Sequence, residues 1–103
     1  MELKVLERIV LLGLLPQEAS YLNFKIVTNL KTELSFSEEE QKELNMVEAE
    51  GRVTWDSEKE KEKYITIGEK ATDLITAELK KLDKDGKINS QNSSLYERFV
   101  LGK

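Results

Sequence analysis

Apolar positions recur along this chain with two different spacings, and the change from one to the other organises it. Near the start, Leu3, Leu6, Val10 and Leu14 fall on one helical face, with Val5, Ile9 and Leu12 beside it. This predicts a helix over 2–15 whose wide apolar arc places it centrally. Pro16 ends it, because the residue before proline avoids the α region. Leu22, Ile26, Leu30 and Leu34 recur every four residues, and Val27 widens their stripe. A second helix over 20–34 follows, with Lys25, Lys31 and Glu33 left to water. Ser37 and Glu40 have the spacing of a capping box, with Glu38 and Glu39 in the turn that the helix dipole favours for carboxylates. They predict a short acidic helix to about Leu44.

From residue 46 to 67 the period falls to two. Val53 and Trp55 alternate with Arg52, Thr54 and Asp56, and Ile65 and Ile67 alternate with Tyr64 and Thr66. This is strand patterning around a turn at Gly51. A two-residue turn, Glu50-Gly51, requires positive φ at a glutamate. A three-residue loop, Ala49-Glu50-Gly51, requires it only at glycine and sets Val47 opposite Val53 and Glu48 opposite Arg52. The second register is expected, with Trp55 turned into the core. The alternating glutamates and lysines of 58–63 read as a solvated loop before a third strand over 63–67.

Helical spacing then returns. Ala71, Leu74, Ile75, Leu79 and Leu82 make a stripe over 68–84, stopped by Gly86 with Lys80, Lys81 and Lys84 near the negative end. Ser94 and Glu97 suggest a second capping box opening a last helix, with Leu95, Phe99 and Val100 inward. The expected fold is a single α+β domain over 1–103: helices on one face of a small antiparallel sheet, made of a β-hairpin and a third strand. Three helices followed by a hairpin also match part of the order of a winged helix.

Composition narrows the chemistry. Among 103 residues there is no histidine and no cysteine. Histidine alone has an unperturbed pKa near neutrality, and cysteine is the most nucleophilic side chain, so the commonest nucleophile–base pairs, most zinc sites and all disulfides are removed. Charged residues make up 35% and hydrophobic residues 39%, with a net charge of −4. A uniformly basic nucleic-acid binder has the opposite balance. The longest apolar run, Ile9 to Leu15, is seven residues, against about 20 for a membrane span. Glu2, Lys4, Glu7 and Arg8 cancel where a secretory signal carries positive charge. A cytoplasmic protein is expected.

The charge is unevenly spread. Residues 36–50 hold six glutamates against Lys42 alone, a net of −5, while the rest of the chain nets +1. Adjacent carboxylates on a helix point in different directions, so the run chelates a metal poorly; only Glu39 and Glu43 are spaced to share a face. Capping and solubility are one reading of Glu38, Glu39, Glu40 and Glu43. A charged contact surface for another protein, with Phe36 as an adjoining anchor, is the other. Asp83-Lys84-Asp85-Gly86-Lys87-Ile88 partly matches a calcium loop. In that alignment Lys81 stands in place of the first carboxylate and Asn92 in place of the bidentate glutamate, so a helix C-cap is expected instead. The lysines of 80–87 are interleaved with Asp83 and Asp85. In a winged helix the acidic third helix would lie where DNA is read, and would repel it. Asn92-Ser93-Ser94 matches a glycosylation sequon, read as chance in a cytoplasmic chain.

Five segments together, Leu11-Leu12-Gly13-Leu14-Leu15-Pro16, Leu34-Ser35-Phe36-Ser37-Glu38-Glu39-Glu40, Val53-Thr54-Trp55, Ile65-Thr66-Ile67-Gly68-Glu69-Lys70-Ala71 and Leu95-Tyr96-Glu97-Arg98-Phe99, resemble short, functionally unassigned proteins of tailed bacteriophages and prophages. The shared features are caps, a proline stop and a strand. The resemblance implies a phage accessory protein acting in the bacterial cytoplasm on a host, defence or phage protein, and it carries over no active residues. The expected function is therefore a non-enzymatic protein-interaction module without metal or cofactor. Its contact residues would be Phe36, Glu38, Glu39, Glu40 and Glu43, and self-association is a further option. A winged-helix-like nucleic-acid regulator is the alternative.

Overall fold

A computed structural model describes all 103 residues. The elements run β1 (Glu2–Leu3), α1 (Val5–Leu14), α2 (Tyr21–Leu34), α3 (Glu38–Glu43), β2 (Val47–Ala49), β3 (Arg52–Thr54), a 3-10 turn (Ser57–Lys59), β4 (Lys63–Tyr64), α4 (Glu69–Lys84) and α5 (Ser93–Phe99). The fold is α+β, as its alternating periods predict. α1, α2 and α4 pack mutually, and α5 packs on α4. Leu11, Leu15, Val27, Leu30, Leu34, Ile75, Leu79 and Leu95 meet in the core with Leu3 and Ile65.

The strands depart from expectation in three ways. The first two residues of the expected first helix are extended instead, and β1 pairs antiparallel with β4. The Met1 ammonium donates to the Ile65 carbonyl at 3.0 Å, and the Ile65 N–H donates to the Met1 carbonyl at 2.8 Å. This pairing holds Leu3 and Ile65 in the core, both fully buried. α1 therefore starts later, and two glutamates satisfy its first N–H groups: Glu7 accepts from Lys4 at 3.1 Å and Glu60 from Val5 at 2.9 Å.

The third strand consequently does not join the hairpin. There are two separate two-stranded sheets, β1–β4 and β2–β3, because the 3-10 turn and the loop after it carry the chain back to the N-terminus.

The hairpin also takes the other register. Glu48 faces Val53, Ala49 faces Arg52 and Val47 faces Thr54. Glu50 and Gly51 form the two-residue turn, with φ of 53° and 75°. This register places Glu48 and Val53 on the side of the hairpin that shares a recess with Ile9 and Leu12 of α1, and leaves Val47 in solvent, 55% exposed. Trp55, expected in the core, is only half-buried, since the hairpin lies outside the helical core. Leu22, expected on the inward stripe of α2, is 70% exposed, and its neighbours Tyr21 and Phe24 in the first turn are 76% and 46% exposed.

Two helix ends follow the expected logic. Ser37 caps α3, its hydroxyl accepting from the Glu40 N–H at 3.1 Å. Gly86 (φ 69°) closes α4, with Lys87 N–H on the Leu82 carbonyl and Gly86 N–H on the Asp83 carbonyl, a Schellman pair. α5 is capped differently from expectation. Asn92 is its N-cap, and Ser94 instead donates to Glu7 at 3.4 Å.

Candidate functional site

Helix α1 is apolar except for a charged pair, Glu7 and Arg8, in its first turn. Arg8 is 1% exposed, and burying a cation is tolerable only with a full set of partners. The junction between α2 and α3 supplies them. Nε donates to the Leu34 carbonyl at 3.1 Å and Nη2 to the Ser35 carbonyl at 2.8 Å. Nη1 and Nη2 reach the Glu40 carboxylate at 2.7 and 3.2 Å. The Phe36 ring lies 3.9 Å from the guanidinium carbon, within cation–π range. Arg8 thus satisfies carbonyls left open at the end of α2 and pins the start of α3. Its hydrogen bonds hold the Glu40 carboxyl below the ordinary glutamate value against the opposing effect of burial, with Lys63 adding at 3.4 Å.

The neighbouring Glu7 makes a comparable tie to α5. Arg98 grips it at 3.0 and 3.1 Å and also donates to the Glu2 carbonyl at 2.7 Å, tying α5 to α1 and β1.

Next to Arg8, the outer face of α1 is incompletely covered. An open recess of about 290 Å³ lies between α1, the α2–α3 junction and the hairpin. Ile9, Leu12, Phe36, Met46 and Val53 form its apolar walls, and Ser35, Gln41 and Glu48 its polar margin. Hydrogen bonds brace the rim: Gln41 donates to the Phe36 carbonyl at 3.0 Å, Met46 N–H to the Gln41 carbonyl at 2.8 Å and Asp56 N–H to the Leu44 carbonyl at 2.7 Å. Beyond Val53 a second recess contains Leu6 and Trp55. A shallow depression with Glu38, Lys42 and Val47 shares Gln41 and Met46 with the first.

The structure divides the expected contact residues. Phe36 is half-buried and forms a wall of the recess. Glu38, Glu39 and Glu43 are exposed, with Glu38 on the side adjoining the recess. Glu40 is turned inward onto Arg8, which places it in the support of the site. Sequence reasoning missed Arg8, Ile9, Leu12 and Glu48 as parts of one place. A charge inside an otherwise apolar helical arc was the available signal for Arg8.

The other candidate chemistry is used internally. Asp83 accepts from the Tyr96 hydroxyl at 3.0 Å, which pushes that phenol up from its ordinary pKa. Asn92 of the sequon is 7% exposed; its Oδ1 accepts from Asn89 N–H at 2.8 Å and its Nδ2 donates to the Lys87 carbonyl at 3.3 Å. No three or more acidic side chains are grouped to hold a metal ion, and no helix is long and apolar enough to cross a membrane. No family model, curated protein or solved structure matches the chain.

Proposed function

We propose that this protein is a non-enzymatic protein-interaction module whose contact surface is the recess beside Arg8 together with the exposed carboxylates of α3. The observation that carries this reading is a largely apolar recess, lined by Phe36 whose ring stacks on the buried Arg8 guanidinium, that opens beside the most acidic stretch of the chain. Apolar anchors in a pocket supply binding energy, and a charged rim supplies steering and selectivity. A role as a phage accessory protein in a bacterial cytoplasm, acting on a host, defence or phage protein, is supported by the sequence resemblance alone.

The test is affinity capture from the native host, comparing the wild-type chain with one carrying Glu38→Lys, Glu39→Lys and Glu43→Lys. A protein held by the first and lost from the second is expected. Equal retention by both, capture of nucleic acid in place of protein, or turnover of a substrate by the pure chain overturns the reading.

A further inference from the structure

The recess has a chemistry that restricts its occupant, an inference that rests on the reading of this surface as a protein contact. Ile9, Leu12, Phe36, Met46 and Val53 make up most of its lining, which favours an apolar occupant. A space of about 290 Å³ admits one large aliphatic or aromatic side chain. The charge around it is predominantly negative. Residues 36–50, which supply Phe36, Gln41, Met46 and Glu48 to its lining, net −5, and Lys42, their one cation, shares the adjoining depression with Glu38. Arg8 offers no outward positive field, because its guanidinium is buried and its charge is met by Glu40.

We infer that the recess receives a short cationic segment of another protein, with one large apolar side chain inserted between Leu12, Phe36 and Val53 and lysine or arginine neighbours facing Glu38 and Glu48. The adjoining sheet has only two strands, so each has an unpaired edge that can meet the backbone of an extended segment. A second copy of this chain fits these requirements poorly. Its exposed Tyr64 follows the alternating glutamates and lysines of 58–63, whose charges cancel. Its exposed Leu101 has Lys103 on one side and on the other Arg98, whose charge is met by Glu7. Its exposed apolar turn, Tyr21, Leu22 and Phe24, lies between Glu18 and Lys25, whose charges cancel. Its lysine-rich stretch 80–87 carries Asp83 and Asp85 and no exposed large hydrophobic residue.

The test is fluorescence anisotropy with labelled synthetic lysine–serine peptides carrying one central leucine, isoleucine, phenylalanine or tryptophan. Matched controls have serine at the centre or glutamate in place of lysine. At least one anchored cationic peptide is expected to bind, more weakly as salt rises, while both controls fail. Glu38→Lys with Glu48→Lys should weaken binding by roughly tenfold or more. Leu12→Trp, and separately Met46→Trp, should abolish it by filling the recess; each variant is used only if its melting curve shows a folded chain.

Binding by none of the anchored peptides, equal binding of the serine-centred control, or undiminished binding by a folded filled variant overturns the inference. Concentration-dependent dimerisation abolished by filling the recess does so too, because it assigns the recess to a second copy. Failure here leaves the broader reading standing if the captured partner is still lost on reversing the α3 charges; retention of that partner removes both.

Discussion

Arg8 and Glu40 lie thirty-two residues apart and meet through two hydrogen bonds of 2.7 and 3.2 Å, with the cation buried and the carboxylate 25% exposed. The pair joins the central helix to the acidic one and sets Phe36 against the recess. Removing either partner has a cost that depends on what is left behind. Glu40→Gln keeps a hydrogen-bonding group at the position and leaves Arg8 its two carbonyl partners, so a loss of about 1–3 kcal/mol is expected. Arg8→Met also strips the Leu34 and Ser35 carbonyls of their donor, and should cost more, roughly 3–5 kcal/mol. The double variant should not recover the loss, since the carbonyls remain unpaired. Urea melts of the three variants check this; full recovery in the double variant would show that the pair acts only on itself.

The same pair gives stability a pH dependence. The folded-state pKa of Glu40 is lowered by its hydrogen bonds from Arg8, so the ionised form favours the folded chain. Its contribution is complete above the unfolded value of about 4.3 and is lost as pH falls through the lower folded value. Wild type should therefore lose more stability than Glu40→Gln as pH is lowered from about 5, and the two should converge in acid. Melting temperatures measured across that range would show parallel curves if the contact contributed nothing.

The hairpin turn contains a correctable conflict. Glu50 holds φ of 53°, a conformation that costs a side-chain-bearing residue roughly 1–2 kcal/mol and that asparagine tolerates better. Glu50→Asn should raise stability by about 0.4–1 kcal/mol. Gly51→Val, at φ 75°, should lower it by about 1–3 kcal/mol. Thermal melts decide, and a neutral result for both would place the turn in another conformation.

Leu79 is fully buried in the shared core of α1, α2, α4 and α5. Leu79→Ala should cost roughly 2–5 kcal/mol through lost burial and the cavity left behind, read from chemical denaturation. A loss well under 1 kcal/mol would mean that the helices close over the gap.

Much of the architecture was written in local signals. The stop at Pro16, the cap at Ser37, the left-handed exit at Gly86 and the stripe from Ala71 to Leu82 each act between residues within a turn or two of each other, so a linear reading finds them. Register and pairing were less legible. The φ preference of Glu50 pointed to the longer loop, but the hairpin adopts the shorter one, which keeps Val53 on the inner side and puts Glu48 rather than Val47 opposite it. The site was legible in part: the acidic stretch and Phe36 were visible, but nothing local showed that Glu40 belongs to Arg8 while Glu38 faces water.

Hydrophobic period and capping residues were enough to specify five helices, a hairpin and an acidic segment, since those preferences arise from neighbouring backbone and side-chain sterics. Which groups became partners across the chain was set only when the core closed. Burial then made every charge inside it find a counterpart, so that Arg8 took Glu40, Glu7 took Arg98 and the first residues left the helix to pair with β4. The recess exists for the same reason: the hairpin covers an outer face of α1 that the helical core does not need, and covers it incompletely.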